Sequence, residues 1–274
     1  MNTKITKKRV VFTLHDFGKS FSVNDGIVFA MNHAENIATQ YSLLPNGIAS
    51  NQAAQIARER TDLSFDLCFT FTDFKPIGKG YKTLTDSDGY FLKANTAQWD
   101  FSVLDNYNSY EIEKEIEEQY EWFLTNVGRK PTALTTQKSE HGDPKILIPI
   151  TDLAKKENIP LRTPAWQWFS NYAAQSYVED LGLTFSNSVF VATKDWKGEH
   201  GYSLEEDVDL LISDIKNTEG ISEIVVLAGF VDQELFDMSS VSWQRGEYLN
   251  LLVRKPEILK RYATEFDIIS YSKI

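Results

Sequence analysis

The sequence predicts an α/β fold: a (β/α)-barrel-like single domain over residues 1–274, mostly parallel in its strands, with a long loop insertion after the third strand. Three observations predict it. Short apolar runs alternate with stretches of helical spacing along most of the chain, the pattern that βαβ crossovers and a parallel sheet produce. One run, residues 65–72, alternates strictly, so that Asp66, Cys68, Thr70 and Thr72 share a small polar face of the kind that points into a barrel. The composition supports a large core, with 42% of the 274 residues apolar and 24% charged, far from the signature of disorder.

The elements follow in order. Residues 9–14 form an apolar strand that ends in the polar turn His15-Asp16-Phe17-Gly18, and Val23, Ile27, Val28, Met31 and Ala34 then recur at helical spacing. A strand at 41–44 precedes a helix at 51–60, and the alternating strand at 65–72 leads into residues 73–108, rich in Gly, Asp, Asn and aromatics and without helical period. Loops of that length are usually lids or binding loops. Residues 109–127 read as a helix that opens on a capping box from Asn108 and Glu111. Ile112, Ile116, Tyr120 and Phe123 lie on one side, and an acidic run that includes Glu111, Glu115 and Glu118 reads as its solvated face. Strands at 133–136, 161–163, 189–192 and 224–227 each precede a helix, at 148–158, 166–181, 204–217 and 243–253.

The charge balance, 28 Lys and Arg against 39 Asp and Glu for a net −11, argues against nucleic acid and anionic membranes, which need clustered cations. No apolar run approaches the roughly 18 residues of a transmembrane helix. The lone Cys68 cannot form an internal disulfide, which points to the cytoplasm. Asp16-Phe17-Gly18 matches a kinase tripeptide without the accompanying loops, and no nucleophile elbow, Walker loop or dinucleotide fingerprint is present.

What remains is a set of polar residues at strand ends: His15 and Asp16 after the first strand, Cys68 in the third, His141 after the fourth and Arg162 in the run that follows. In a barrel these positions converge on one face, where catalytic groups collect. Ordinary turn chemistry at His15 and Asp16, and a core role for Cys68, are the alternative. Trp99, Tyr107, Trp166 and Trp168 are placed either to stack on sugar rings or to fill the core.

The ordered motifs resemble the YdjC-like carbohydrate deacetylases, a family that includes the chito-oligosaccharide deacetylases. Thr13-Leu14-His15-Asp16-Phe17-Gly18 followed by Ser20, Asn24, Gly26 and Ile27 is similar to its opening strand and turn. Leu67-Cys68-Phe69 resembles its Leu-His-Leu strand, and Pro76-Ile77 with residues 84–91 its following loop. Residues 131–144 align with its His-rich signature, Ile159-Pro160-Leu161-Arg162-Thr163-Pro164 with its Ile-Pro-x-Arg-x-Pro segment, and 223–232, with Arg245 and the Ile268-Ile269-Ser270-Tyr271 ending, with its late pattern.

The resemblance implies a barrel holding a divalent metal, Mg or Zn, between an Asp and two His, with water attacking the acetamide of a sugar. Carried over, the metal Asp falls on Asp16 and the general base on His15. The ligand positions fall on Cys68, on the surviving His141 and, for the late histidine, on Leu227. Arg162, Trp166 and Asn24 are the implied substrate contacts. Two expectations result. One is a carbohydrate deacetylase with an altered site, a soft-ligand set of Asp16, Cys68 and His141 that favours zinc. The other is a pseudoenzyme that binds a small carbohydrate or sugar phosphate without turnover. A homodimer is compatible with either.

Overall fold

The apolar run at the N-terminus builds the centre of the sheet. A computed structural model describes residues 7–33, 35–95, 100–164, 172–192 and 202–274. β1 (Lys8–Phe17) is followed by α1 (Phe21–Met31), whose start is fixed by Ser20, its Oγ accepting from the Val23 amide. Then come β2 (Gln40–Leu43), α2 (Ser50–Glu59), β3 (Ser64–Phe69) and, beyond the long loop, α3 (Ser109–Val127). Asn108 caps α3 and Gly128 closes it with φ 80°, a left-handed conformation that glycine adopts without strain.

β4 (Leu134–Thr136) leads to α4 (Pro144–Glu157), which begins earlier than the apolar period suggests because Asp143 caps it and Pro144 takes the first turn. α5 (Tyr172–Asp180), β5 (Ser188–Ala192), α6 (Val208–Asn217), β6 (Ser222–Val226), α7 (Gln233–Met238), α8 (Trp243–Arg254), α9 (Pro256–Glu265) and β7 (Phe266–Ile269) complete the order.

Among the described residues the strands form one sheet in the order β4-β3-β2-β1-β6-β5, every pairing parallel, as the alternation of strands and helices predicts. β7 pairs with the first half of β1, below the point where β2 joins it. The expected strand at 161–163 is reduced to Leu161, which bridges Leu134 on one side and Phe185 on the other. Pro160 and Pro164 on either side leave no room to extend that ladder. Phe185 lies three residues ahead of β5, so this single bridge ties the two edges of the curled sheet together.

Val10, Phe12, Leu14, Leu43, Phe65, Leu67 and Phe69 turn outward against the helices and are fully or almost fully buried. Each such side chain contributes about 1.5–3 kcal/mol by leaving water. The inward positions are different: Thr13 donates to Glu223 at 2.6 Å, and Gln40 and Ser42 donate to Asp66 at 2.9 and 2.5 Å. The barrel interior is thus polar and internally bonded above a small apolar plug of Val11, Ala133, Ile221, Ile269 and Tyr271.

Of the acidic run on α3 expected to be solvated, Glu113, Glu117 and Glu121 are exposed, but Glu111 and Glu115 fasten the long loop. Glu115, buried, accepts from the Ile77 and Gly78 amides at 2.9 Å and from the Tyr81 hydroxyl at 2.8 Å. Glu111 accepts from the Lys82 and Thr83 amides at 2.8 and 2.9 Å. With two carboxylates consuming its donors, this part of the loop is a fixed wall and not a free lid.

Candidate active site at the barrel mouth

β1 carries an irregularity where it meets β2. Leu14 pairs with Tyr41 and Phe17 with Leu43, so three steps on β1 oppose two on β2. The extra residue is a bulge, a device that re-aims side chains. Asp16 sits there with φ 68°, a conformation uncommon outside glycine and tolerated best by Asp and Asn. As a result His15 and Asp16, which a regular strand would send to opposite faces, both line the same cavity and meet at 2.9 Å through His15 Nδ1 and Asp16 Oδ1.

A chain of charges runs through this point. The Arg162 fork donates from Nε and Nη2 to the two oxygens of Glu223 at 2.9 and 2.6 Å, and from Nη1 to His15 Nε2 at 3.0 Å. Arginine only donates, so His15 Nε2 accepts and the ring proton is assigned to Nδ1, facing Asp16. Asp16 Oδ2 in turn accepts from Nη2 of Arg245, a buried residue of α8 whose Nε donates to the Val241 carbonyl at 2.9 Å. Burial alone would raise the Asp16 carboxyl, but Arg245, Lys19 and His15 outweigh it and hold the group well below the usual carboxylate range. Glu223 is held low in the same way, burial being overcome by Arg162 and by donors from Thr13 and Tyr271.

The cavity above these residues has a volume of about 310 Å³, at the lower end of the range for small-ligand sites. Val189, Val191, Val225 and Leu227 make one wall apolar, while Lys19, Lys93, Lys138, Arg162 and Arg245 against Asp16, Asp73 and the Glu223 that pairs with Arg162 leave a surplus of two positive charges among the described residues. In a chain of net charge −11 this local reversal focuses an attractive field for electron-rich groups.

The structure brings His15, Asp16 and Arg162 together, as expected, with Cys68 behind them, its Sγ 3.7 Å from His15 Nε2. It places two others elsewhere. Asn24 is fully buried, accepts from the Gly18 amide at 2.6 Å and donates to the Ala49 carbonyl and Gln52, so its amide fixes the turn and does not reach the cavity. His141 is fully buried too, and its Nδ1 meets Thr136 Oγ1 at 2.7 Å while Nε2 donates to the Arg162 and Thr163 carbonyls at 3.2 Å. Tyr107 is core, its hydroxyl donating to the Phe71 carbonyl. Trp99, Trp166 and Trp168 lie outside the described residues.

The residues present do not fit the divalent metal that the motif resemblance implies. Asp16 already accepts from Arg245 and His15, both ring nitrogens of His141 are engaged, and position 227 is an apolar Leu. Burial pushes the Cys68 thiol well above its usual value, further than Arg162 pulls it back, so the thiolate a metal needs is disfavoured. Among the described residues no three His, Cys, Asp or Glu side chains form a metal-binding group.

His141 carries a measurable consequence. Burial, and then Arg162, depress its pKa to about 4, so the folded state refuses a proton that the unfolded chain takes up near pH 6.5. Stability is therefore complete above about pH 6.5 and falls by about 3 kcal/mol as pH drops toward 4. Urea titrations between pH 7 and 4 are expected to show this slope, and His141→Gln to flatten it.

Two cavity-lining residues that bond Asp16 were not among the expected site residues. Arg245 was legible only as a motif match on a helix, and Gln137, whose Nε2 donates to Asp16 Oδ1 at 3.4 Å, as a degenerate position in a histidine-rich stretch.

Comparison with known proteins decides the lineage: the model of the YdjC-like protein family matches residues 9–269. The chain belongs to that family. This YdjC-like chain is 25% identical over 268 residues to a carbohydrate deacetylase of Clostridium beijerinckii, covering 97% of the chain and 100% of the relative. It is 28% identical over 266 residues to a carbohydrate deacetylase of Vibrio cholerae (97% and 96%), and 24% identical over 262 residues to a chitooligosaccharide deacetylase of Yersinia pestis (93% and 96%). Its fold superposes with a TM-score of 0.82 on a solved Enterococcus faecalis structure described as a candidate cellobiose-phosphate cleavage protein, at 22% identity over 98% of this chain and 99% of that one.

Proposed function

We propose that this YdjC-like chain works on acetylated carbohydrates, the ligand class in its relatives' names, and holds them in the barrel-mouth cavity above His15 and Asp16. The observation that carries the reading is the lining itself. An apolar wall suits the C–H face of a sugar ring, and the opposing polar wall offers fixed hydrogen-bonding groups.

Of the two ways such a site can act, the geometry favours recognition without turnover. The lone pair a general base would use, His15 Nε2, is taken by Arg162 Nη1 at 3.0 Å, and the carboxylate at Asp16 is neutralised by Arg245. Deacetylation of the bound sugar is the second reading, favoured by the retained His15–Asp16 contact at 2.9 Å and by the relatives named deacetylases. The positive surplus of the lining further favours phosphorylated sugars over neutral ones. The buried, unpaired Cys68 accords with a reducing compartment, and the cytoplasm is the proposed location.

Thermal-shift titration with N-acetylated chito-oligosaccharides, cello-oligosaccharides and their phosphates tests the reading, alongside an acetate-release assay with and without Zn or Mg. The expected result is a rise in Tm, corresponding to about 2.7 kcal/mol at a hundredfold excess over Kd, with acetate release no faster than the blank. Acetate release above the blank selects deacetylation instead. A Tm unmoved by every sugar overturns both.

A further inference from the structure

The outer side of the barrel carries an apolar surface that the barrel-mouth cavity does not use. Half of the large apolar side chains exposed among the described residues lie on α1, the loop after β6, α7 and the start of α8. They are Phe21, Phe29, Phe230, Val231, Phe236 and Trp243, each 43–59% exposed. Backbone contacts join α1, the loop and α8 into one surface. The Gly229 amide donates to the Arg245 carbonyl at 3.3 Å and the Phe230 amide to the Ser22 carbonyl at 3.1 Å, so the loop bridges the two helices. A Cβ at Gly26 would stand 2.4 Å from the Phe230 nitrogen, and one at Gly246 3.1 Å from Val231 Cγ2, so a glycine on each helix lets the loop pack directly on it. The Phe29 and Phe230 rings meet there at 5.8 Å, tilted by 40°. α8 turns Arg245 inward to Asp16 and leaves Trp243 and Glu247 exposed.

The exposed charges of this surface have one sign. Across residues 21–32 and 228–250 the acidic residues are Asp25, Asp232, Glu234, Asp237 and Glu247, all exposed, and the one Lys or Arg is the buried Arg245. An apolar centre within a charged rim is the anatomy of a protein interface.

The charge decides the occupant. A two-fold contact between copies of this chain would set the acidic rim against itself. Two rings tilted by 40° form a wedge, where a sugar ring stacks best on a flat platform. What complements the surface is a run of apolar side chains flanked by cations. We infer that this face docks a basic, amphipathic segment of another protein, with apolar side chains over Phe29 and Phe230 and Lys or Arg toward the five carboxylates.

The test is a fluorescence-anisotropy titration of the full chain with a labelled helical peptide of about 18 residues, Leu at i, i+3, i+4 and i+7 and Lys elsewhere. A scrambled peptide of the same composition is the control for charge alone. The patterned peptide is expected to bind at least about tenfold more tightly than the scrambled one. Phe29→Gln/Phe230→Gln is expected to erase that difference, and Asp25→Lys/Glu247→Lys to weaken the patterned peptide at least about fivefold. All four positions are exposed, so the Tm of both variants is expected to stay near that of the parent. No binding, equal binding of the two peptides, or a preference that survives the Phe29/Phe230 variant overturns the inference. So does displacement of the peptide by cellohexaose, which makes the face a sugar platform. A dimer seen in sedimentation of the peptide-free chain and dissolved by Phe29→Gln/Phe230→Gln assigns the face to a second copy and overturns it too.

Discussion

Arg162→Met is expected to destabilise the protein by about 3–5 kcal/mol, the cost of leaving a buried charge without its partner. At roughly 2–4 °C per kcal/mol for chains of this size, Tm falls by roughly 6–20 °C. The reason is Glu223, which has no exposed side-chain surface and takes both arms of the Arg162 fork. Without that fork, only the Thr13 and Tyr271 hydroxyls, each at 2.6 Å, remain to solvate the carboxylate. Burial, opposed then only by those two hydroxyls, raises the Glu223 pKa, whereas in the parent Arg162 keeps it low.

The sign with pH follows. A carboxyl whose folded pKa lies above its unfolded value is stabilised by protonation, so the deficit of Arg162→Met is largest at high pH and shrinks as pH falls. Glu223→Leu leaves a cation that does not titrate in this range, and its deficit stays flat with pH. The double variant Arg162→Met/Glu223→Leu removes both charges and is expected to recover most of the loss. Denaturant midpoints for the three variants at pH 5, 7 and 9 check this, and a double variant as weak as the sum of the singles would show that the pair is not coupled.

How far the sequence foretold this arrangement differs element by element. β1, β2 and β3 were legible because an apolar run between turn residues has few other folds available, and α3 because Asn108 with Glu111 marks its start and its apolar residues recur on one side. α9 and β7 were missed: β7 is four residues long and its place under β2 is set by tertiary pairing with β1. His15, Asp16 and Arg162 were legible as polar strand-end residues, but the bulge that turns His15 and Asp16 to one side leaves no mark in composition. Asn24 and His141 misled because sequence does not say which polar groups the backbone will consume. Arg245 reaches Asp16 across 229 positions, from a helix face that reads locally as ordinary surface.

Asp16→Asn is expected to abolish sugar binding and to lower stability by about 3–5 kcal/mol at pH 7, because it strips the buried Arg245 of the carboxylate it pairs with among the described residues. Asn is the right probe, since it accepts the left-handed backbone at φ 68° about as readily as Asp and keeps an oxygen for His15 Nδ1. The change removes the charge and, with the oxygen kept toward His15, turns an amide donor toward Arg245 Nη2 where the carboxylate had an acceptor. In the parent, the carboxyl lies well below the usual range, so its contribution is complete above the unfolded value near 3.9 and is lost as pH falls through the lower folded value. The gap between parent and Asp16→Asn should close below about pH 4. The same variant separates an anchor from a metal ligand. If Asp16 anchors Arg245 and Gln137, Zn and Mg leave Tm unchanged in parent and variant alike, and binding of diacetylchitobiose falls by at least about tenfold in EDTA. If Asp16 is instead a metal ligand, the parent gains Tm with metal and the variant loses that gain, because a ligand that binds only the folded state must stabilise it.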